Sequence, residues 1–405
     1  MKQLLKAAFY LTSFLCVVTG AVSQVVIDPI PAPLEKRGLE IEITTAARLP
    51  DSRGTHDDEL DVSPTSWARV SYVRDLPDGR RFANDSRGFL YLLEDNEASL
   101  YLNLGSYFPR AFYNSLESGF IGFAFHPEFA SNGLFYTTHG EYASNNPATP
   151  DFIPPGFDSS DVTYHNVVSE WHANDPSAET FEGTRRELLR AAHVTDSFFH
   201  AIGHVDFNPT ARPGDEDYGL LFTSGSDLGF SNGGGDNAAN PAQTQRLDTI
   251  VTAIMRIDPR SPADSGGIAG LGDYTIPASN PFAADDDPDT LGEIYAWGFR
   301  NAHRLAWDDD GTLFASDIGM SQVEEINIVH KGRNYGWMQR EGVFNNGVNL
   351  PDRAMNLVYA LPAEILDGSR EDEFTYPVAI YDHSEGLAIT GGFPYRGQIA
   401  SLHGK

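Results

Sequence analysis

The chain alternates short apolar stretches with turns rich in Pro, Asp, Asn and Gly, and one such pattern recurs four times. In each copy, an apolar stretch is followed by a turn that contains glycine and then by a second apolar stretch. Alternation of this kind predicts pairs of antiparallel strands. The first stretches begin at Ala68, Gly122, His204 and Arg304, and the turn glycines are Gly79, Gly133, Gly219 and Gly311.

Strand pairs repeated at irregular intervals, without long helices, predict an all-β fold and specifically a β-propeller, in which each blade packs against its neighbours. A β-sandwich whose turns happen to look alike is the alternative that the pattern leaves open. The best helical stretch, Arg185 to Ala192, is short. The unequal separations of the turn glycines predict long loops, which in a propeller crowd one mouth of the central channel.

Three segments carry the clearest loop composition, with many Gly, Pro, Asn, Asp and Ser residues: 145–161, 231–243 and 264–289. The third segment contains three consecutive aspartates, Asp285, Asp286 and Asp287. Carboxylate oxygens are the ligands that Ca²⁺ prefers, so this run is either a solvated turn or a calcium site.

The N-terminal residues have the composition of a secretory signal peptide. Two lysines precede an apolar run from Ala7 to Val18, and small residues at positions 21 and 23 suit cleavage after Ser23. No other stretch approaches the roughly 18 apolar residues of a membrane span. We therefore expect a periplasmic or secreted protein with no membrane span. The predicted division is a signal peptide at 1–23, an N-terminal connector at 24–40 and a propeller domain at 41–405.

Charge and cysteine content exclude several functional classes. The 405 residues include 28 Lys or Arg and 57 Asp or Glu, for a formal net charge of −29. Binders of nucleic acid or anionic membranes draw their affinity from Lys and Arg, so neither class is expected. The single cysteine, Cys16, lies in the predicted signal peptide, which excludes a disulfide scaffold and a Cys-ligated metal centre. The acidity predicts a solvated surface.

Three clusters carry residue types that serve chemistry. His200 comes just before the third repeat. Its imidazole is either a general base that projects into the channel or an exposed histidine in a loop. Arg300, Asn301 and His303 concentrate donors near the fourth repeat, and Arg300 binds a planar carboxylate or forms a structural salt bridge. Residues 316–327 combine a Gly-containing turn with carboxylates, which are suitable calcium ligands. These features predict a polar, Arg-bearing mouth and no particular reaction.

Several motifs point to one family. They are the segments Gly119 to Phe129, Met255 to Pro259, Glu293 to Asn301, Glu324 to Asn327, Asn334 to Trp337 and Ala388 to Gly392. At these motifs, the sequence resembles the soluble PQQ-dependent glucose/sorbosone (aldose sugar) dehydrogenase family, which also includes hedgehog-interacting-protein-like propellers. The motifs occur in the same order over roughly residues 65 to 405. The resemblance implies a six-bladed propeller with the quinone PQQ stacked over the channel and calcium beneath it.

The resemblance also assigns roles to individual residues. His200 matches the base that takes the proton of the sugar's anomeric hydroxyl, and Asp227 matches the aspartate that orients this base. Arg300 would stabilise charge on the reduced quinone, so the implied catalytic set is His200, Asp227 and Arg300. The implied cofactor-binding set is Arg300, Asn301, His303, Gly319 and Met320. The implied metal ligands are the backbone carbonyls of Gly319 and Met320, with Glu325 and Tyr335 at a second, structural Ca²⁺ site.

The implied activity is oxidation of an aldose to its lactone by hydride transfer to Ca²⁺-bound PQQ, with an unidentified periplasmic electron acceptor. A non-catalytic propeller that binds carbohydrate or protein, and a Ca²⁺-dependent lactonase, are the alternatives. The sequence departs from the family at residues 201–203 and at Met320, where the glucose enzymes have Pro. It also stops soon after Tyr395, where family members continue, so we expect an incomplete last blade with open edge strands.

Overall fold

The computed structural model describes residues 25–34, 42, 44–55, 65–108, 119–144, 148–195, 200–231, 241–285, 287–320, 322–347 and 354–403. The predicted signal peptide and part of the predicted connector lie outside these residues. Within the described ranges, no helix combines the length and apolar character needed to cross a membrane.

The described strands form five antiparallel sheets of four strands each and one pair. The pair consists of β13 (Ile268–Ala269) and β14 (Thr275–Ile276). The fifth sheet consists of β1 (Val25–Val26), β19 (Arg340–Glu341), β20 (Phe344–Gly347) and β21 (Ala354–Tyr359). Sheets 1 and 2 are β2 (Val70–Asp75), β3 (Arg81–Asp85), β4 (Phe89–Glu94) and β5 (Glu97–Asn103), then β6 (Gly122–Phe125), β7 (Leu134–Tyr142), β8 (Tyr164–Ala173) and β9 (Gly183–His193). Sheets 3 and 4 are β10 (Val205–Phe207), β11 (Leu221–Thr223), β12 (Ile254–Ile257) and β15 (Ile294–Ala296), then β16 (Ala302–Trp307), β17 (Leu313–Asp317), β18 (Val323–Ile328) and β22 (Ala379–Asp382).

Helices are short in the described residues. The α-helices are α1 (Phe129–Asn132), α2 (Pro262–Ser265) and α3 (Ala363–Leu366), and 3₁₀ turns occur at Leu104–Ser106, Pro241–Gln243 and Ala400–Leu402. Each α-helix is a single turn within a connection, so the core is built mainly by the sheets, and α1 adds Phe129 to it.

All four strand pairs predicted from the repeats are confirmed: they are β2–β3, β6–β7, β10–β11 and β16–β17. The helix suggested for Arg185 to Ala192 is wrong, because these residues lie in β9 and pair with β8. Leu188, Leu189, Ala191 and Ala192 are all buried. A strand covered on both faces loses the alternation of apolar and polar residues by which strands are recognised.

Hydrophobic clusters fill the spaces between neighbouring sheets. One contains Phe82, Tyr101, Phe123 and Trp171 from sheets 1 and 2, and others join sheets 2 and 3 and sheets 3 and 4. Face-to-face packing of successive four-stranded sheets is the architecture of a β-propeller. The count of six blades and the incomplete last blade stay predictions.

The first strands of sheets 1 to 4 line the central channel. β6 contacts both β2 and β10. From the fourth sheet, Arg304 on β16 donates through Nη2 to Ser71 Oγ of β2, at 2.9 Å. Its guanidinium carbon also lies 5.4 Å from the centre of the Tyr72 ring. The Arg304 side chain therefore links sheets 4 and 1 directly across the channel.

Candidate active site

The four channel-lining strands begin at one end of the channel, which we call the site mouth. His200 precedes β10 and Arg300 precedes β16, so both lie at this end. The connections after β7 and β11 also lie here, because these strands run antiparallel to the channel-lining strands. Gln243 Nε2 donates to the Pro155 carbonyl at 2.8 Å, which joins two of the predicted long loops at the site mouth.

His200 and Asp227 form a buried pair. The two atoms His200 Nδ1 and Asp227 Oδ1 are 2.5 Å apart, and the two residues are 3% and 0% exposed. The hydroxyl of Ser226 donates to the His200 carbonyl at 2.5 Å and fixes the backbone of the histidine. With Nδ1 facing the carboxylate, Nε2 carries the lone pair of the neutral imidazole, which is the arrangement of an oriented general base.

Several donors converge on the Asp227 carboxylate. The backbone N–H groups of Gly229 and Ser231 donate to Oδ1 and Oδ2 at 3.0 and 3.2 Å, and the indole of Trp337 donates to Oδ2 at 3.2 Å. Burial alone raises the pKa of Asp227, but the charge and hydrogen bond of His200, with the Arg300 charge and the Ser231 hydrogen bond, lower it to about 2. Asp227 is therefore a permanent anion at neutral pH.

Residues with left-handed backbone cluster around the His200–Asp227 pair. Outside glycine, the described residues with positive φ include Asp95 and Asn96, which form the tight turn between β4 and β5. The others are His200 (φ 67°), Leu228 (φ 47°) and Thr252 (φ 68°). Leu228 follows Asp227, and the Thr252 N–H donates to the Ser226 carbonyl at 2.6 Å. Left-handed backbone costs on the order of 1–3 kcal/mol per residue, and it is typical of functional sites.

Arg300 lies at the same mouth with its guanidinium buried. Its Nη1 donates to the carbonyls of Ile318 and Gly319 at 2.9 and 2.7 Å. Its guanidinium carbon lies 5.7 Å from the centre of the Trp337 ring. The side chain of Asp317 holds the backbone, because its oxygens accept from the N–H groups of Arg300 and Asn301 at 3.1 and 2.6 Å. The arginine is thus fixed at both its backbone and its side chain.

His303 is placed at a bulge in β16. Ala302 pairs with Asp317 and Arg304 with Ser316, so His303 is the extra residue of the bulged strand. Bulges re-aim side chains and are common beside active sites. Its side chain is partly exposed, yet burial, followed by the charges of Arg304, His204 and His200, lowers its pKa well below the ordinary value. The structure therefore places a neutral His303 in the channel near His200.

The turn that contains Gly319 and Met320 wraps around one carboxylate. Glu341 Oε1 accepts from the N–H groups of Met320, Gln322 and Val323 at 3.2, 3.0 and 3.0 Å. A Cβ on Gly319 would lie 1.8 Å from the Val323 carbonyl oxygen, so only glycine fits. The Gly319 carbonyl accepts from Arg300 Nη1 at 2.7 Å. A backbone carbonyl has two lone pairs, so the second one suits a calcium ligand.

Glu325 and Tyr335 have separate partners. Glu325 accepts from the Gly342 N–H at 2.5 Å and from Asn327 Nδ2 at 3.0 Å. The Tyr335 hydroxyl donates to the Ile328 carbonyl at 2.7 Å. Burial raises the pKa of Glu325, hydrogen bonds from Asn327 and Gly342 oppose the rise, and other carboxylates add to it, giving about 7. Among the described residues, no three His, Cys, Asp or Glu side chains form a ready metal cluster. The second calcium site stays a prediction.

The predicted calcium site in the aspartate run receives no support from its contacts. The Asp287 N–H donates to Asp285 Oδ1 at 3.2 Å, which is the geometry of a solvated turn. Asp286 lies outside the described residues.

Comparison with known families gives a decisive match. The family described as Glucose / Sorbosone dehydrogenase matches residues 70–402 of this chain. The chain belongs to the glucose/sorbosone dehydrogenase family.

The known proteins that this chain matches are distant from it in sequence. The HIPL1 protein of Arabidopsis thaliana is 26% identical over 365 residues, which is 80% of this chain and 48% of the relative. Quinoprotein glucose dehydrogenase B of Acinetobacter calcoaceticus is 26% identical over 230 residues, covering 55% of this chain and 40% of the relative. The chain thus spans about half or less of the curated relatives it matches.

Solved structures support the fold of this glucose/sorbosone dehydrogenase family member. The soluble aldose sugar dehydrogenase of Escherichia coli, in its apo form, superposes with a TM-score of 0.52 at 17% identity, covering 80% of this chain and 72% of the other. At this identity the likeness concerns the fold alone.

The structure brings His200, Asp227, Arg300 and the Gly319 turn to the same mouth. It also adds residues that the sequence analysis did not single out. Trp337 bonds Asp227 and faces Arg300, Ser226 fixes His200, and Asp317 fixes Arg300 and Asn301. Trp337 and Asp317 lie inside segments quoted from the sequence, but all three roles depend on contacts with residues elsewhere in the chain.

Proposed function

We propose that this protein is an exported quinoprotein that oxidises an aldose to its lactone, with PQQ as hydride acceptor and Ca²⁺ beneath it. The observation that carries the proposal is the buried His200–Asp227 pair at the same mouth as Arg300, in a member of the glucose/sorbosone dehydrogenase family. A base, its orienting anion and a buried cation are the parts that such an oxidation needs.

His200 performs the proton step. Its Nε2 would accept the proton of the anomeric hydroxyl as the hydride leaves C1 for the quinone acceptor, so that the C1–O single bond becomes the carbonyl double bond of the lactone as the C–H and O–H bonds break. Asp227 holds Nδ1 and stabilises the imidazolium that results, as an aspartate does for other histidine bases. Asp227 keeps its negative charge throughout, because its pKa of about 2 lies far below neutral pH.

The residues at the mouth fit the quinone and the ion. Arg300 would offer a buried guanidinium to the anionic oxygens of the quinone, with Asn301 next in the chain and His303 in β16. The Gly319 carbonyl faces Arg300 and offers an oxygen ligand to Ca²⁺, with Met320 next in the turn. When bound, PQQ supplies the redox chemistry and Ca²⁺ polarises its accepting carbonyl.

A non-catalytic binding function is the second candidate. It is supported by the HIPL1 and HIPL2 proteins of Arabidopsis thaliana, which are 26% and 27% identical over 80% and 69% of this chain and whose names state no activity. The strained His200 favours the enzyme, because a binding scaffold has no need of an oriented base.

The test is reconstitution. The protein is loaded with PQQ and Ca²⁺, quinone binding is titrated, and oxidation of an aldose panel is followed with an electron-accepting dye. Saturable quinone binding with turnover of at least one aldose is the expected result. Quinone binding without turnover of any aldose or alcohol would overturn the enzyme and leave the binding function.

Export is part of the same proposal. Expression of the chain with residues 1–23 in a bacterial host should yield a periplasmic protein whose intact mass is that of a chain beginning at Gln24. Retention in the cytoplasm with an intact N-terminus would contradict it. The natural electron acceptor would then be sought among soluble proteins of that compartment.

A further inference from the structure

Trp337 lies between the two halves of the site. Its indole Nε1 donates to Asp227 Oδ2 at 3.2 Å, and its ring lies 5.7 Å from the guanidinium carbon of Arg300. The side chain is 3% exposed. One rigid group therefore contacts both the anion that orients His200 and the cation proposed to hold the quinone.

The backbone around Trp337 is fixed from two sides. Its N–H donates to the Gly298 carbonyl at 2.8 Å, and its own carbonyl accepts from Gln245 Nε2 at 2.5 Å. Gly298 has φ 85°, and a Cβ there would lie 2.4 Å from Asn334 Oδ1, so the two segments approach as closely as glycine allows. Because Gly298 and Arg300 are two residues apart, the contact that holds Trp337 also sets the start of the arginine segment.

We propose that Trp337 is a positioning residue that couples the proton-accepting pair to the quinone-binding arginine. The inference rests on the proposed function and deepens it. The indole N–H spreads the charge of Asp227, which limits how strongly the carboxylate holds the imidazolium. The ring face holds the Arg300 guanidinium through a cation–π contact. The two tasks use different parts of one side chain, so they can be separated by substitution.

Trp337→Phe keeps an aromatic face and removes the N–H. With one donor fewer, Asp227 becomes more basic and binds the imidazolium more tightly. We expect the acidic limb of the pH–rate profile to move to higher pH by roughly half a unit, and kcat at pH 7 to fall by up to about threefold, which is the most that half a unit allows. The affinity for PQQ stays unchanged, because Arg300 keeps its ring contact. Trp337→Leu removes both contacts and weakens PQQ binding as well.

Trp171→Phe is the matched control. Trp171 is 0% exposed, and its indole donates to Thr137 Oγ1 at 2.8 Å, between sheets 1 and 2 and away from the site mouth. This variant loses the same kind of buried hydrogen bond, so it reports the general effect on stability. We expect a lower melting temperature with an unchanged pH–rate profile and unchanged PQQ affinity.

Two measurements do not depend on turnover. In the cofactor-free protein, the NMR titration midpoint of the His200 imidazole should rise in Trp337→Phe and stay constant in Trp171→Phe. In a protein with Trp337 intact, the indole N–H resonance of Trp337 should move in Asp227→Asn, which covers the case in which Trp337→Phe fails to fold.

The outcomes separate the two proposals. The positioning role is overturned if the titration midpoint of His200 is unchanged in folded Trp337→Phe. It is also overturned if the indole N–H resonance of Trp337 does not move in Asp227→Asn. A shifted midpoint in a protein that oxidises no aldose keeps the positioning role and overturns the proposed function. Loss of PQQ affinity in Trp337→Phe equal to that in Trp337→Leu would overturn the division of tasks between the N–H and the ring.

Discussion

Replacing Asp227 by Asn removes one charge from the centre of the site and leaves the shape of the side chain nearly unchanged. In the folded protein, the carboxylate accepts from His200, from two backbone N–H groups and from Trp337. The amide of Asn can satisfy only part of this set, because one of its two terminal atoms is a donor. The substitution therefore perturbs both stability and the tautomer of His200.

The magnitude follows from the pKa of Asp227, which is about 2 in the fold against an ordinary value of 3.8. Each pH unit is worth about 1.4 kcal/mol, so ionised Asp227 contributes on the order of 2 kcal/mol to the free energy of unfolding. Because the pKa is lowered in the folded state, this contribution is complete above the ordinary value and is lost as pH falls through 2. At pH 3, about half of it remains.

The assay is denaturant unfolding of the wild type and Asp227→Asn at pH 7 and pH 3. We expect the variant to be less stable by about 2 kcal/mol at pH 7 and by about half that at pH 3. Asp309→Asn is the control, because that side chain is 68% exposed and substitutions of exposed residues away from a site change stability little. Turnover should fall by about 10²-fold or more, since the wrong tautomer is held. An equal loss of stability at both pH values would refute the reasoning.

Three further predictions concern the same mouth. His200→Ala should abolish turnover and leave PQQ affinity nearly intact, whereas Arg300→Ala should weaken both, as steady-state kinetics and a quinone titration would show; full activity in His200→Ala would contradict the base. Glu325→Gln should raise the melting temperature at pH 8 without calcium, because it removes a buried carboxylate whose pKa is about 7 and which is therefore charged at that pH. The same variant should be stabilised less by added calcium, and an unchanged calcium effect would show that Glu325 is not a ligand. Gly319→Ala should displace the turn, since its Cβ would lie 1.8 Å from the Val323 oxygen, and should weaken calcium binding in calorimetry; wild-type affinity would contradict the role of this carbonyl.

Local pattern predicted much of the fold. The strand pairs at Gly122 and Arg304 are visible in the sequence because an apolar stretch, a glycine turn and a second stretch lie within a short window. β9 escaped prediction because both of its faces are covered, so that consecutive residues such as Leu188 and Leu189 are buried and the alternation is lost. β1 was assigned to the connector, yet Val25 and Val26 pair with β21, far away in the chain.

The candidate site divides in the same way. Arg300 was found because a family motif surrounds it, and His200 was found because it comes just before the third repeat. Trp337 had been noted only as part of a motif, and its role depends on Asp227, which is 110 residues away in sequence. The link from Arg304 to Ser71 spans 233 residues. Contacts of this kind leave no periodic signal, because neither residue type nor local spacing changes when the partner is in another blade.

The most direct test of the account is a single turnover. The protein loaded with PQQ and Ca²⁺ is mixed without oxygen with an aldose that carries deuterium or hydrogen at C1, and the absorbance of the quinone is followed. The account predicts that the quinone is reduced, that one lactone forms for each quinone, that deuterium slows the reduction, and that His200→Ala blocks it. Failure of every aldose to reduce the bound quinone would contradict the account.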